Sequence, residues 1–210
     1  MAHRIKTLIA SAVLLLSCSS AFAADPMKAV QIYKQDELLD LIKKNQHLQR
    51  VKADDCQLVQ DIEARATVVK TPAYQFLYGD MLAYAVCFPR DIERGLYYMQ
   101  LAAEQGLPEG LEQLGRYYHI GKFVQKNEEK AIVYLREAAS LGNLKAQIRL
   151  VEIFVSGAGN PIDYEAAYRW LFHSTIADQK QHNYVSKLLA QLGEKMPPKV
   201  LRRARKNYDR

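Results

Sequence analysis

Beyond its first two dozen positions, this 210-residue chain has no apolar run approaching the ~20 residues that a bilayer crossing needs, which predicts a soluble mature protein. Cysteine is scarce too, with only Cys18, Cys56 and Cys87. No histidine or further cysteine stands at zinc-ligand spacing from Cys56 or Cys87, so a structural metal is disfavoured. The histidines His47, His119, His173 and His182 never recur at i, i+3 or i, i+4, the spacings that set two imidazoles on one helical face. Val155-Ser156-Gly157-Ala158-Gly159 combines a serine with a G-x-G fragment, yet it lacks the strand–turn–helix setting of a nucleophile elbow or a dinucleotide loop. It reads as a turn between helices. These absences predict a chain with no catalytic residues, no cofactor and no bound metal.

What is present begins with an export signal. Arg4 and Lys6 give a basic start, positions 7–16 form a short apolar run, and Ala21-Phe22-Ala23 is a small-x-small cleavage site, together a secretory signal peptide over 1–23. Leu15-Leu16-Ser17-Cys18 is a competing pattern, loosely resembling a lipoprotein box in which Cys18 would become the lipidated first residue. Export leaves Cys56 and Cys87 in an oxidising compartment, where an even pair reads as a disulfide; two buried free thiols are the alternative.

The formal net charge is +6, and losing Arg4 and Lys6 with the signal lowers it to +4. From position 195 onward, Lys195, Lys199, Arg202, Arg203, Arg205, Lys206 and Arg210 face only Asp209, so the basic balance belongs to the tail. Within it, Arg202, Arg203, Arg205 and Lys206 are the candidate partner-binding residues. For an exported chain the counterpart is an acidic protein surface, lipid head groups or the cell wall, not nucleic acid.

The strongest pattern is internal. A shift of 36 residues lays Gly79 on Gly115, Gly106 on Gly142, and Ala102-Ala103 on Ala138-Ala139. Tyr98, Tyr134 and Trp170 coincide, as do Asp91, Asn127 and Asp163. A fixed period in the 30s signals stacked helical hairpins, none of which buries its apolar face alone. First helices are expected at 73–85, 109–120 and 144–156, and second helices at 92–105, 128–141 and 164–177. Asp91, Asn127 and Asp163 fall at N-cap positions, with Glu93, Glu129 and Glu165 placing a carboxylate on each positive helix end. Gly106 and Gly142 suit left-handed C-terminal caps. Gly79, Gly115 and the alanine pairs allow close helix approach.

Around the repeats the pattern is weaker. Asp36 is expected to cap a helix over 37–45, and Asp54 or Asp55 to start another through Cys56, Val59, Ile62 and Ala66. Pro72 suits a first-turn position. Val151 and Asp178 replace two repeat glycines in the third unit. An amphipathic helix over 183–192 then closes the stack, and a basic helix over 199–206 follows Met196-Pro197-Pro198.

Leu114-Gly115-x-x-Tyr118-x-x-Gly121, followed by Lys130-Ala131-x-x-Tyr134-x-x-x-Ala138-Ala139-x-x-Gly142, resembles the Sel1-like repeat. The resemblance implies an all-α, TPR-like α/α solenoid, with three repeats at about 72–106, 107–142 and 143–180. An N-terminal helical cap over 24–71 and a capping helix with a basic tail over 181–210 flank them. Family members are adaptors and scaffolds. The leader, the segment VKADDCQLVQDIEARATVVKTPAYQFLYGDMLAYAVC at 51–87, the repeats and the basic end are also similar to periplasmic components of the sodium-driven polar flagellar motor. That resemblance implies a Cys56–Cys87 disulfide and a place in the T ring around the basal body. Its implied partners are a MotY-like ring protein and the PomA/PomB stator.

Overall fold

The computed structural model describes residues 32–206. The expected export signal, Cys18 and the charged positions after 206 lie outside the described residues. The regular elements described are all helical.

The helix Pro72–Ala83 (α4 of the chain) is buried at every position from Ala73 to Ala83. A helix mostly apolar around its circumference belongs inside a protein, and neighbours cover α4 on all sides, including its polar Gln75 and Asp80. The cap consists of α1 (Gln35–Lys43), α2 (His47–Ala53) and α3 (Val59–Ala64), the last widening into a π-helical turn, Arg65–Val69. The cap side chains Leu38, Ile42, Val51 and Ile62 meet Phe76, Leu77 and Met81 of α4 in one core. Each such side chain contributes about 1.5–3 kcal/mol when fully buried.

On its other side α4 packs against α5 (Ile92–Glu104), and α6 (Pro108–Ile120) packs in the same way against α7 (Glu128–Ser140). Small residues set the separation. A Cβ on Gly79 would lie 2.7 Å from the Gly95 carbonyl oxygen, and one on Gly95 would lie 2.7 Å from that of Gly79. At Gly115 the added atom would strike Leu135 Cγ at 2.6 Å, so the leucine fills the notch that glycine leaves. The termini repeat as well. Asp91 accepts from the Arg94 N–H at 3.0 Å and Asn127 from the Lys130 N–H at 2.9 Å. Gly106 and Gly142 have φ of +79° and +86°, and each is followed by a backbone bond back to Ala102 or Ala138.

Beyond α7, α8 (Leu144–Val155) pairs with α9 (Tyr164–Phe172). Then α10 (Gln179–Glu194) covers α8 and α9, and α11 (Pro198–Ala204) rests on α9. A second core runs from Met99 through Leu135 and Phe154 to Leu192 and Ala204.

Several boundaries differ from expectation. Lys34, not Asp36, is the N-cap of α1, and Asp36 lies within the first turn. No helix starts at Asp54 or Asp55; these residues follow the unanticipated α2, and left-handed Asp55 and Cys56 turn the chain before α3. Asp163 precedes α9 without a side-chain capping bond, and its carboxylate instead meets Arg136 at 3.1 Å. Asn160 takes over by capping a 3-10 turn, Pro161–Asp163. The α9 helix stops at Phe172, before the expected 177. The α10 helix is longer than 183–192, because Asp178 caps it by accepting from the Gln181 N–H at 2.7 Å.

Candidate protein-docking groove

The turn between α1 and α2 overhangs the first turns and middles of α6 and α8, leaving two adjoining clefts of about 590 and 420 Å³. Asn45, Glu112, Gln113 and Lys145 line both. The Lys145 ammonium donates to the Lys43 carbonyl at 2.8 Å, so α8 is tied to the end of α1 across 102 positions of sequence.

The groove floor is a chain of polar side chains. His47 Nε2 lies 2.7 Å from Asp80 Oδ2, both residues almost wholly buried. The other Asp80 oxygen accepts from Gln113 Nε2 at 2.9 Å, and the same amide reaches the Tyr117 hydroxyl at 2.7 Å. The Tyr117 and Tyr84 hydroxyls are 2.9 Å apart. This network joins α2, α4 and α6 at positions where unpaired polar groups would cost about 1–3 kcal/mol each. Beside it, Glu112 is 7% exposed, and burial raises its carboxyl above the usual range against the opposing pull of Arg116, Arg149 and Lys145. The Nε atoms of Arg116 and Arg149 both stand 3.9 Å from the same Glu112 oxygen. The groove therefore offers fixed charge and side-chain amides. Among the described residues, no three His, Cys, Asp or Glu side chains converge as metal ligands.

The site residues anticipated from sequence lie elsewhere. Cys56 and Cys87 are joined, with Sγ atoms 2.01 Å and Cα atoms 5.7 Å apart, fixing the α2–α3 turn to the segment after α4. On and after α11, Arg203 grips the Glu165 carboxylate with Nε at 2.6 Å and a second nitrogen on the other oxygen. This pairing is the main reason that the Glu165 carboxyl is held below the usual range. Arg205 donates to the Tyr168 hydroxyl at 2.8 Å and also lies over its ring. Two of the four anticipated docking residues thus attach α11 to α9. Arg202 and Lys206 are exposed, and none of the four lines the groove.

Sequence reasoning missed the groove because it attended to what the repeats share. Phe76, Asp80, Glu112, Gln113, Arg116 and Arg149 of its lining fall in three sets of equivalent positions whose identities differ between units: Phe76, Glu112 and Ile148; Leu77, Gln113 and Arg149; Asp80, Arg116 and Glu152. Subtracting the period would have exposed them.

The Sel1 repeat family model matches residues 72–107 and 108–143, the two hairpins α4–α5 and α6–α7. Over 205 residues the chain is 54% identical to the sodium-type polar flagellar protein MotX of Vibrio parahaemolyticus serotype O3:K6 (strain RIMD 2210633), covering 97% of each sequence. The chain belongs to the MotX family. Among solved structures, a Sel1 repeat protein from Oxalobacter formigenes superposes with a TM-score of 0.53 at 20% identity, covering 61% of this chain and 97% of that one. A protective antigen of uropathogenic Escherichia coli displaying an SLR fold gives 0.50 at 21% identity, covering 80% of this chain and 36% of that one. These two likenesses concern the fold, an all-α solenoid of Sel1-like repeats. The MotX relationship extends further, across the cap and the C-terminal helices.

Proposed function

We propose that this chain is a non-enzymatic, periplasmic adaptor of the sodium-driven polar flagellar motor. In this reading it is exported by the 1–23 signal, joins the T ring beside a MotY-like protein, and helps capture the PomA/PomB stator around the basal body. The observation that carries the reading is the 54% identity over nearly the full length to a protein named as a sodium-type polar flagellar component. The fold agrees with a passive role, since a stack of hairpins offers a rigid, extended surface for partners. No helix among the described residues is long and apolar enough to cross a membrane, so sodium passage falls to the stator. The α8–α9 hairpin acts as a third, drifted repeat, with α10 and α11 closing the stack and the cap closing its other end. The outward-facing Arg202 and Lys206 remain the tail's candidates for a partner, whereas Arg203 and Arg205 hold α11 in place.

A generic envelope or cell-wall scaffold is the competing reading, favoured by the Sel1 repeat match alone. Deletion in the native host, with motility scoring and localisation of a tagged copy, separates the two. Loss of swimming with polar foci at the flagellar base is expected. Normal swimming with an even envelope distribution would overturn the motor reading.

A further inference from the structure

We propose that the groove between the α1–α2 turn, α6 and α8 captures an extended, acidic segment of a partner protein. This proposal rests on the adaptor reading and gives it a site and a partner chemistry. Lys52, Arg116, Lys145 and Arg149 line the larger cleft against only Asp80 and Glu112. Asp80 is already engaged by His47 and Gln113, and Glu112 is shared between two guanidinium groups that it touches only at 3.9 Å. The cations are thus under-neutralised from within. Arg149 Nε is buried and donates to no protein atom among the described residues. Its guanidinium is a group for which an incoming carboxylate or carbonyl supplies a charge-assisted contact.

The shape selects among anions. The Arg116 and Arg149 side chains are 23% and 25% exposed at the bottom of a cleft, reachable by a thin strand but not by a flat lipid surface. The two clefts run into one another, which suits a ligand several residues long. Asn45 and Gln181 present amides that can donate to and accept from a passing peptide backbone, and Asn143, whose side-chain oxygen caps α8, keeps its NH2 group to donate. Acidic side chains would fall on the arginines while the main chain follows the amides.

The test uses the purified, disulfide-intact mature protein and a fluorescein-labelled peptide of alternating glutamate and serine, read by anisotropy at physiological ionic strength. Saturable binding is expected, weakened about tenfold by Arg149→Gln and unchanged by Arg202→Gln on α11. A lysine–serine peptide should not bind. Should Arg149→Gln fold poorly by thermal melting, exposed Lys52→Gln at the cleft mouth carries the same comparison. Failure of the acidic peptide to bind, or equal weakening by the groove and α11 variants, would overturn the proposal. So would binding of phosphatidylglycerol vesicles that Arg149→Gln abolishes. An inert groove in a chain whose deletion stops swimming retires the groove alone. A specific groove in a chain dispensable for swimming upholds the groove and retires the motor reading.

Discussion

Seven non-glycine residues among those described adopt positive φ, and six of them lie between Asn45 and Cys87. A side chain in that region costs about 1–2 kcal/mol, which glycine avoids at an entropic cost of roughly 0.5–1 kcal/mol. Lys70, at φ +59°, ends the π-helical turn with its side chain exposed. Lys70→Gly should therefore stabilise the protein by about 0.5–1 kcal/mol, read as a higher urea midpoint with an unchanged slope. A lower midpoint would mean that the lysine side chain makes contacts outweighing its backbone cost. The same residues explain why the cap was poorly legible. Chain reversals in the repeats announce themselves through Gly106, Gly121 and Gly142, whereas the cap turns also on Cys56 and Lys70, residues with little turn signature. Packing and the Cys56–Cys87 link hold them in place. Nothing local in the sequence records that.

At the scale of helices, the α4–α5 contact brings backbone against backbone. Gly79 and Gly95 face each other so closely that a methyl group on either meets backbone, which cannot swing aside as a side chain can. Gly79→Ala should cost about 1–3 kcal/mol through forced separation of the two helices, measurable as a lowered denaturation midpoint. The Gly115 notch faces Leu135 instead, so overpacking there can be relieved by trimming the leucine. A neutral Gly79→Ala would show that α4 and α5 slide freely. Gly79, Gly115 and the alanine pairs were readable because they recur at the 36-residue spacing and each has a packing reason. Two second-helix starts were readable through Asp91 and Asn127, whose carboxylate and amide do cap. The third was misread because an inserted 3-10 turn moved the capping role to Asn160, freeing Asp163 for Arg136. The helix α2, only seven residues long, has no side-chain N-cap to announce it.

Over the whole molecule, charge and covalent structure are arranged at opposite ends. The cationic α11 is drawn onto α9 by Glu165 and Tyr168, while the cap is pinned to the end of α4 by the Cys56–Cys87 disulfide. The repeat period was legible because it is a property of the chain in order. The groove was not, since it joins Asn45 to Lys145 and His47 to Asp80, neighbours created only when the cap packs onto the repeats. The disulfide also governs how the molecule would carry a mechanical load. When the two ends are pulled apart, tension passes from Cys56 directly to Cys87, and residues 57–86 are bypassed. The π-helical turn, α4 and its all-round contacts then stay slack while the rest of the stack extends. In an optical trap, complete unfolding under oxidising conditions should release about 100 Å less contour length than after reduction, at ~3.3–3.6 Å per residue. Equal lengths in the two states would show that Cys56 and Cys87 are not joined in the protein under load. A part anchored near a rotating machine would gain from such a shunt, because the helix at its centre is the one that force cannot reach.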